Sequence, residues 1–198
     1  MVFDCTADYD SVQHDQNLSE YFNQYPYQLH NFQKWAIHGI VNNQHVLVTA
    51  PTGSGKTVAC TFASTYIFSK NVTSKIRNKT VYCSPIKALS NQKFHDFTES
   101  YPHIKFGLIT GDIKMDITAD ILIMTTEILN NKLRGNSSNS SNSATNQLNQ
   151  SRTDFDLDIN ELKCVVFDEI HMINDESRGH VWEQCIMNLP KHVQIVGL

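Results

Sequence analysis

The chain has no apolar run long enough to cross a bilayer. Hydrophobic residues make up 40% of its 198 positions but are dispersed, and mean hydropathy is -0.33. A spanning helix needs about 20 consecutive apolar residues, so a membrane partner is not expected. A basic excess is also missing. Lys and Arg number 16 against 20 Asp and Glu, for a net charge of -4 and a pI near 6.1. Without a broad positive field, nucleic acid can be held only by backbone amides, hydroxyls and a few lysines. Cysteine is sparse and odd in number, with five residues (Cys5, Cys60, Cys83, Cys164, Cys185) and no CxxC pair. That argues against a disulfide framework or a zinc site and for reduced thiols inside the cell, in cytoplasm or nucleus. The nine histidines include no HExxH. The first 33 residues hold no Lys or Arg but contain Asp4, Asp8, Asp10, Asp15 and Glu20. A mitochondrial presequence needs the opposite charge, and a secretory signal needs an apolar core that is absent. Residues 1–24 therefore read as a mobile acidic leader, partly helical near 18–22.

One internal stretch holds no charge and almost no apolar residue. From Asn136 to Ser151 the sequence runs NSSNSSNSATNQLNQS. Such a segment cannot bury enough surface to offset the entropy of ordering, so 135–153 is expected to be a disordered insertion.

Elsewhere strand and helix patterns alternate. Strands are expected at 46–49, 80–83, 106–110, 121–125, 164–167 and 193–198, and helices near 29–41, 56–68, 86–100, 127–133 and 178–188. Apolar strands alternating with helices specify an α/β fold, a parallel sheet covered by helices on both faces. In such sheets ligands gather at the carboxyl ends of the strands.

The first such end carries Ala50-Pro51-Thr52-Gly53-Ser54-Gly55-Lys56-Thr57, between a β-branched run and a helical stretch. Strand, glycine-rich turn, Gly-Lys-Thr and helix is the layout of a phosphate-binding loop, with Ala50 where the strict pattern has glycine. Glycines let successive backbone N–H groups turn toward a phosphate, and the following helix aims its positive end at the same place. Lys56 is expected to reach the β- and γ-phosphates of ATP, and the Thr57 hydroxyl to ligand Mg²⁺.

A second motif pairs with the first. Cys164-Val165-Val166-Phe167 runs into Asp168-Glu169-Ile170-His171. Asp168 is expected to hold Mg²⁺ through water, and Glu169 to orient and deprotonate an attacking water. A lone Asp-Glu pair is more often a helix cap with a solvated neighbour; following a buried-type strand and a phosphate loop, the pair reads as an ATPase carboxylate pair. Three further strand ends offer hydroxyls, amides and helix starts: Ser84-Pro85-Ile86-Lys87, Thr110-Gly111-Asp112 and Thr125-Thr126-Glu127. Each alone fits an ordinary cap, whereas three at successive strand ends suit consecutive phosphates of one nucleic acid strand. Pro85, Ile86, Lys87, Thr110, Gly111, Thr125 and Thr126 are the candidate contacts.

APTGSGKT, SPIKALSNQK, GLITGD, ILIMTTEIL and VVFDEIH followed by RGHVWE closely resemble the superfamily 2 DExH-box helicases. Within that group the match is to the Ski-like (superkiller) RNA helicases that serve the RNA exosome, over about residues 25–198. The resemblance implies a first RecA-like domain that binds ATP, Mg²⁺ and single-stranded RNA, with DNA the less favoured substrate. It also implies that Tyr27 stacks on adenine and Gln33 reads its polar edge, although either residue equally fits a packing role. The family couples ATP to its second half through the histidine matched by His171. The chain stops at Val193-Gln194-Ile195-Val196-Gly197-Leu198, where the family continues into a Ser-Ala-Thr motif and a second RecA-like domain carrying an arginine finger. Two readings follow. The chain is the catalytic half of an ATP-dependent RNA helicase, a fragment or truncated product whose second domain is encoded separately. Alternatively it is a nucleotide-dependent module that binds RNA or a partner without hydrolysis.

Overall fold

Three strands, buried at every residue but Lys163, make the centre of the molecule: β2 (Lys79–Ser84), β5 (Ile121–Thr125) and β6 (Leu162–Phe167). Their side chains are packed on both faces, which is why these stretches are continuously apolar rather than alternating. The structure, a computed structural model, describes residues 5–12, 17–51, 53–72, 77–138 and 157–198. The remaining strands are β1 (Val46–Leu47), β3 (Phe106–Ile109), β4 (Lys114–Met115) and β7 (Gln194–Gly197). They form one sheet in the order β1-β7-β6-β2-β5-β3-β4. In register, Tyr82 of β2 stands between Ile123 of β5 and Val166 of β6.

Successive residues of a strand face opposite ways. Cys164 and Val166 therefore join one core with the helices α2 (Asn31–Val41), α3 (Thr57–Ser69) and α4 (Lys87–Ser100). Val165 and Phe167 join the other, with α5 (Thr126–Ser138) and α6 (Gly179–Asn188). The expected parallel sheet with helices on both faces is present. It differs in one strand, since β4 pairs antiparallel with β3. The connection between them is a tight turn in which the Thr110 amide donates to the Ile113 carbonyl at 2.8 Å. A turn that short can only reverse the chain.

Part of the acidic leader is described. α1 (Ser19–Phe22) forms, its Tyr21 edge-on to Phe62 and Tyr66 of α3, and the residues around Tyr9 lie against α2. Tyr9 is buried, with its ring edge-on to Trp35 at 5.0 Å and to Phe22 at 5.4 Å. Asn31 and Trp35 both donate to the Ala7 carbonyl, and Lys34 pairs with Asp10 at 2.5 Å. One aromatic residue and a lysine on the facing helix make these contacts. Helix α5 runs on to Ser138, past the expected end at 133 and into the start of the polar segment. The rest of the insertion expected at 135–153 lies outside the described residues. No helix among the described residues is long and apolar enough to cross a membrane.

Candidate functional site

Strands β1, β6 and β7 end side by side, and hydrogen bonds tie the loops leaving them. The Val48 amide donates to the Gly197 carbonyl at 2.9 Å, and the Ile170 amide to the Leu198 carbonyl at 2.7 Å. The glycine-rich loop and the Asp168-Glu169 segment thus leave neighbouring ends of one sheet. Gly53 and Gly55 adopt φ of 80° and 84°, a region that a Cβ disfavours. The loop is closed on itself by Ser54, whose hydroxyl donates to the Pro51 carbonyl at 2.7 Å. Ala50 is half-buried against the core, and Thr52 lies outside the described residues. Lys56 caps the 13-residue helix α3, and Thr57 is its first residue. Among the described residues no hydrogen bond or ion pair engages the Lys56 ammonium or the Thr57 hydroxyl. A half-buried cation and a free hydroxyl at a helix start are a set of groups open to an anion and its metal.

Asp168 is held from β2. Its amide donates to the Cys83 carbonyl at 2.9 Å, and its Oδ2 accepts from the Tyr82 hydroxyl at 2.6 Å. Burial, together with the nearby Cys60 and the Asp168 charge, pushes the Tyr82 phenol well above its ordinary range. The hydroxyl therefore stays a donor. Glu169 follows in the left-handed region at φ 56°, ψ 47°, opening a 3-10 turn over Ile170–Asn174. Its Oε2 lies 3.2 Å from His171 Nδ1, on the exposed side of the turn.

On the other side of the loop, Tyr27 is 53% exposed and available for stacking, while Gln33 is only 2% exposed. The Gln33 amide accepts from the His30 backbone N–H at 2.8 Å and donates to the Gly55 carbonyl at 2.9 Å. Of the two roles open to Gln33, the observed contacts are those of a cap on α2 that buttresses the glycine loop.

Pro85, Ile86, Lys87, Gly111 and Thr125 are brought together around a cleft of about 440 Å³. Thr110 and Thr126 do not offer hydroxyls there. Thr110 is buried and accepts from the Ile113 amide at 3.1 Å, while Thr126 is fully buried where α5 starts beneath the sheet edge. Three cleft residues were not foreseen as contacts: Glu127, Ile128 and Arg178. Arg178 Nη2 donates to the Pro85 carbonyl at 2.5 Å and Nε to Glu127 Oε1 at 3.1 Å, fastening two strand-end loops together. Across the cleft Lys87 pairs with Asp112 at 2.6 Å. Arg178 stood in the RGHVWE block, but nothing in a linear sequence ties it to Pro85. No cluster of three or more His, Cys, Asp or Glu suited to a metal occurs among the described residues.

The family model described as DEAD/DEAH box helicase matches residues 30–198. Among curated proteins, the "Antiviral helicase SKI2" of Saccharomyces cerevisiae is 41% identical over 174 residues, covering 88% of this chain and 12% of that protein. The human "Exosome RNA helicase MTR4" is 38% identical over 176 residues, covering 88% of this chain and 14% of that protein. The chain thus spans only a small part of the relatives it matches. Among solved structures, the helicase MrfA bound to DNA and AMPPNP superposes with a TM-score of 0.61 at 19% identity, covering 88% of this chain and 24% of its own. A Dbp5 structure from S. cerevisiae bound to RNA and ADP BeF3 gives 0.62 at 17% identity, covering 86% and 40%. At those identities the structures establish the RecA-like fold.

Proposed function

The chain belongs to the DEAD/DEAH box helicase family, and from that membership we propose that it is the ATP-binding half of an ATP-dependent RNA helicase. The observation that carries the reading is the pairing of an unengaged Lys56 at the start of α3 with Asp168 and Glu169 on the neighbouring strand end. A phosphate chain suits that cation and helix start. Mg²⁺ suits the Thr57 hydroxyl and the Asp168 carboxylate, which are too few ligands alone and so call for phosphate and water as well. When bound, the metal supplies charge neutralisation on the phosphates. Lys56 and the amides of residues 53–57 orient the phosphates. Asp168 fixes the metal's place, and Glu169 takes the proton of the attacking water, with its pairing to His171 holding the side chain at the surface of the turn.

Single-stranded RNA is the proposed second ligand, placed in the cleft between Pro85, Gly111 and Thr125. The preference over DNA is supported by the human relative named as an exosome RNA helicase, 38% identical over 176 residues. Turnover in this reading needs a second RecA-like domain to supply an arginine.

Phosphate release from ATP and Mg²⁺, with and without single-stranded RNA, tests the reading. The chain alone should turn over near background, because loss of an arginine finger costs roughly a thousandfold or more. Fusion to the second RecA-like domain of a relative should restore RNA-stimulated hydrolysis, and Glu169→Gln should abolish it again. Vigorous hydrolysis by the chain alone would refute the half-enzyme reading.

A further inference from the structure

Tyr82 occupies the middle of the central strand, where its neighbours Val81 and Cys83 are small and carry no hydroxyl. It is fully buried, and Phe97 meets its ring edge-on at 5.2 Å and 90°. A phenylalanine would fill that volume without bringing a hydroxyl into the core. A buried hydroxyl is costly unless bonded, and this one is bonded to a carboxylate, the stronger class of partner. The carboxylate is Asp168, 86 residues further along the chain. Strand β2 therefore grips Asp168 at two points: the Cys83 carbonyl on its amide and the Tyr82 hydroxyl on Oδ2. An aspartate side chain otherwise turns freely about its terminal bond, since that torsion is broad. With Oδ2 anchored, rotation of the carboxylate is restrained and Oδ1 is left to the site.

We propose that Tyr82 is a positioning residue, which aims Asp168 so that the carboxylate serves the metal accompanying the nucleotide. The proposal rests on the assignment of Asp168 to the metal made above. Outer groups that hydrogen-bond a metal's ligand commonly change metal affinity by about 10- to 100-fold when removed. A packing role for Tyr82 would alter stability, and nucleotide affinity equally with or without metal. A positioning role alters only the metal-dependent part.

The test is calorimetric titration of the 198-residue chain with ADP, once in Mg²⁺ and once in EDTA. The wild-type chain should bind more tightly in Mg²⁺. In Tyr82→Phe the ratio of the two affinities should fall about tenfold, with affinity in EDTA unchanged. Phe97→Leu keeps the hydroxyl but removes the ring that steadies it, and should lower the ratio by a smaller factor. A wild-type ratio in folded Tyr82→Phe, or in Phe97→Leu should the first variant not fold, would overturn the proposal. Equal ADP affinity in Mg²⁺ and EDTA for the wild-type chain would instead overturn the assignment of Asp168 to the metal, and the role of Tyr82 with it.

Discussion

A glutamate at φ 56° occupies backbone space that costs a residue bearing a Cβ of order 1 kcal/mol, and Glu169 does so at the centre of the proposed chemistry. Its side-chain pairing with His171 is exposed and offsets little. Glu169→Gly should therefore raise the unfolding free energy in urea by about 1 kcal/mol while removing the proton acceptor. A clear loss of stability would show that the side chain, rather than the sheet, holds the turn. The thiols give a second residue-scale outcome. Burial pushes Cys164 and Cys185 up to about 12 and Cys60 and Cys83 higher than usual, whereas Cys5 is exposed. An aromatic disulfide reagent at pH 8 should label Cys5 alone in the native chain and all five cysteines after denaturation. Rapid native labelling of several thiols would contradict the packing described. At this scale Asp168 and Glu169 were legible because they end an apolar strand. The Tyr82 contact was not, because it joins strands through a sheet order that periodicity does not encode.

Helix α2 is fixed at both ends by glutamines. Gln33 caps its start, and the buried Gln194 of β7 donates to the carbonyls of Ile40 at 3.1 Å and Gln44 at 2.7 Å, at its far end. Removing the second glutamine takes the side-chain donor from the Gln44 carbonyl, whereas Ile40 keeps the Asn43 amide at 3.0 Å, so one net hydrogen bond of about 1 kcal/mol is at stake. Gln194→Ala should accordingly lose about 1 kcal/mol in urea unfolding with an unchanged slope. A loss below about 0.5 kcal/mol would mean that water replaces the amide. The long elements were readable from the sequence, since the central strands are short apolar runs and the stretches between them, α3 and α4 at 13 and 14 residues, are too long for strands and carry no proline. β4, with two residues paired antiparallel, is too short to carry a period, and the docking of Tyr9 depends on the aromatic face of a helix more than twenty residues away.

For the whole molecule, net charge and the cleft point the same way. The chain is acidic, and the two cleft cations, Lys87 and Arg178, are each already paired with an acid, Asp112 and Glu127. Two cations on a single strand give a salt slope of about -1.4 in log affinity against log salt. Fluorescence anisotropy with a labelled oligouridine across a salt series should give weak binding and a slope no steeper than about -2. A slope of about -4 or beyond would require a basic surface that the described residues lack. The fold as a whole was legible because strand and helix alternate cleanly, and the glycine loop lies where its residues place it, between β1 and α3. The central claim is that this chain binds ATP through Lys56 and the loop before α3. Calorimetric titration with ATP and Mg²⁺ measures it directly, comparing the wild-type chain with Lys56→Ala and Glu169→Gln. One saturable site in the wild-type chain, about a hundredfold weaker in Lys56→Ala and retained in Glu169→Gln, is the expected result. No binding by the wild-type chain, or equal binding by Lys56→Ala, would contradict it.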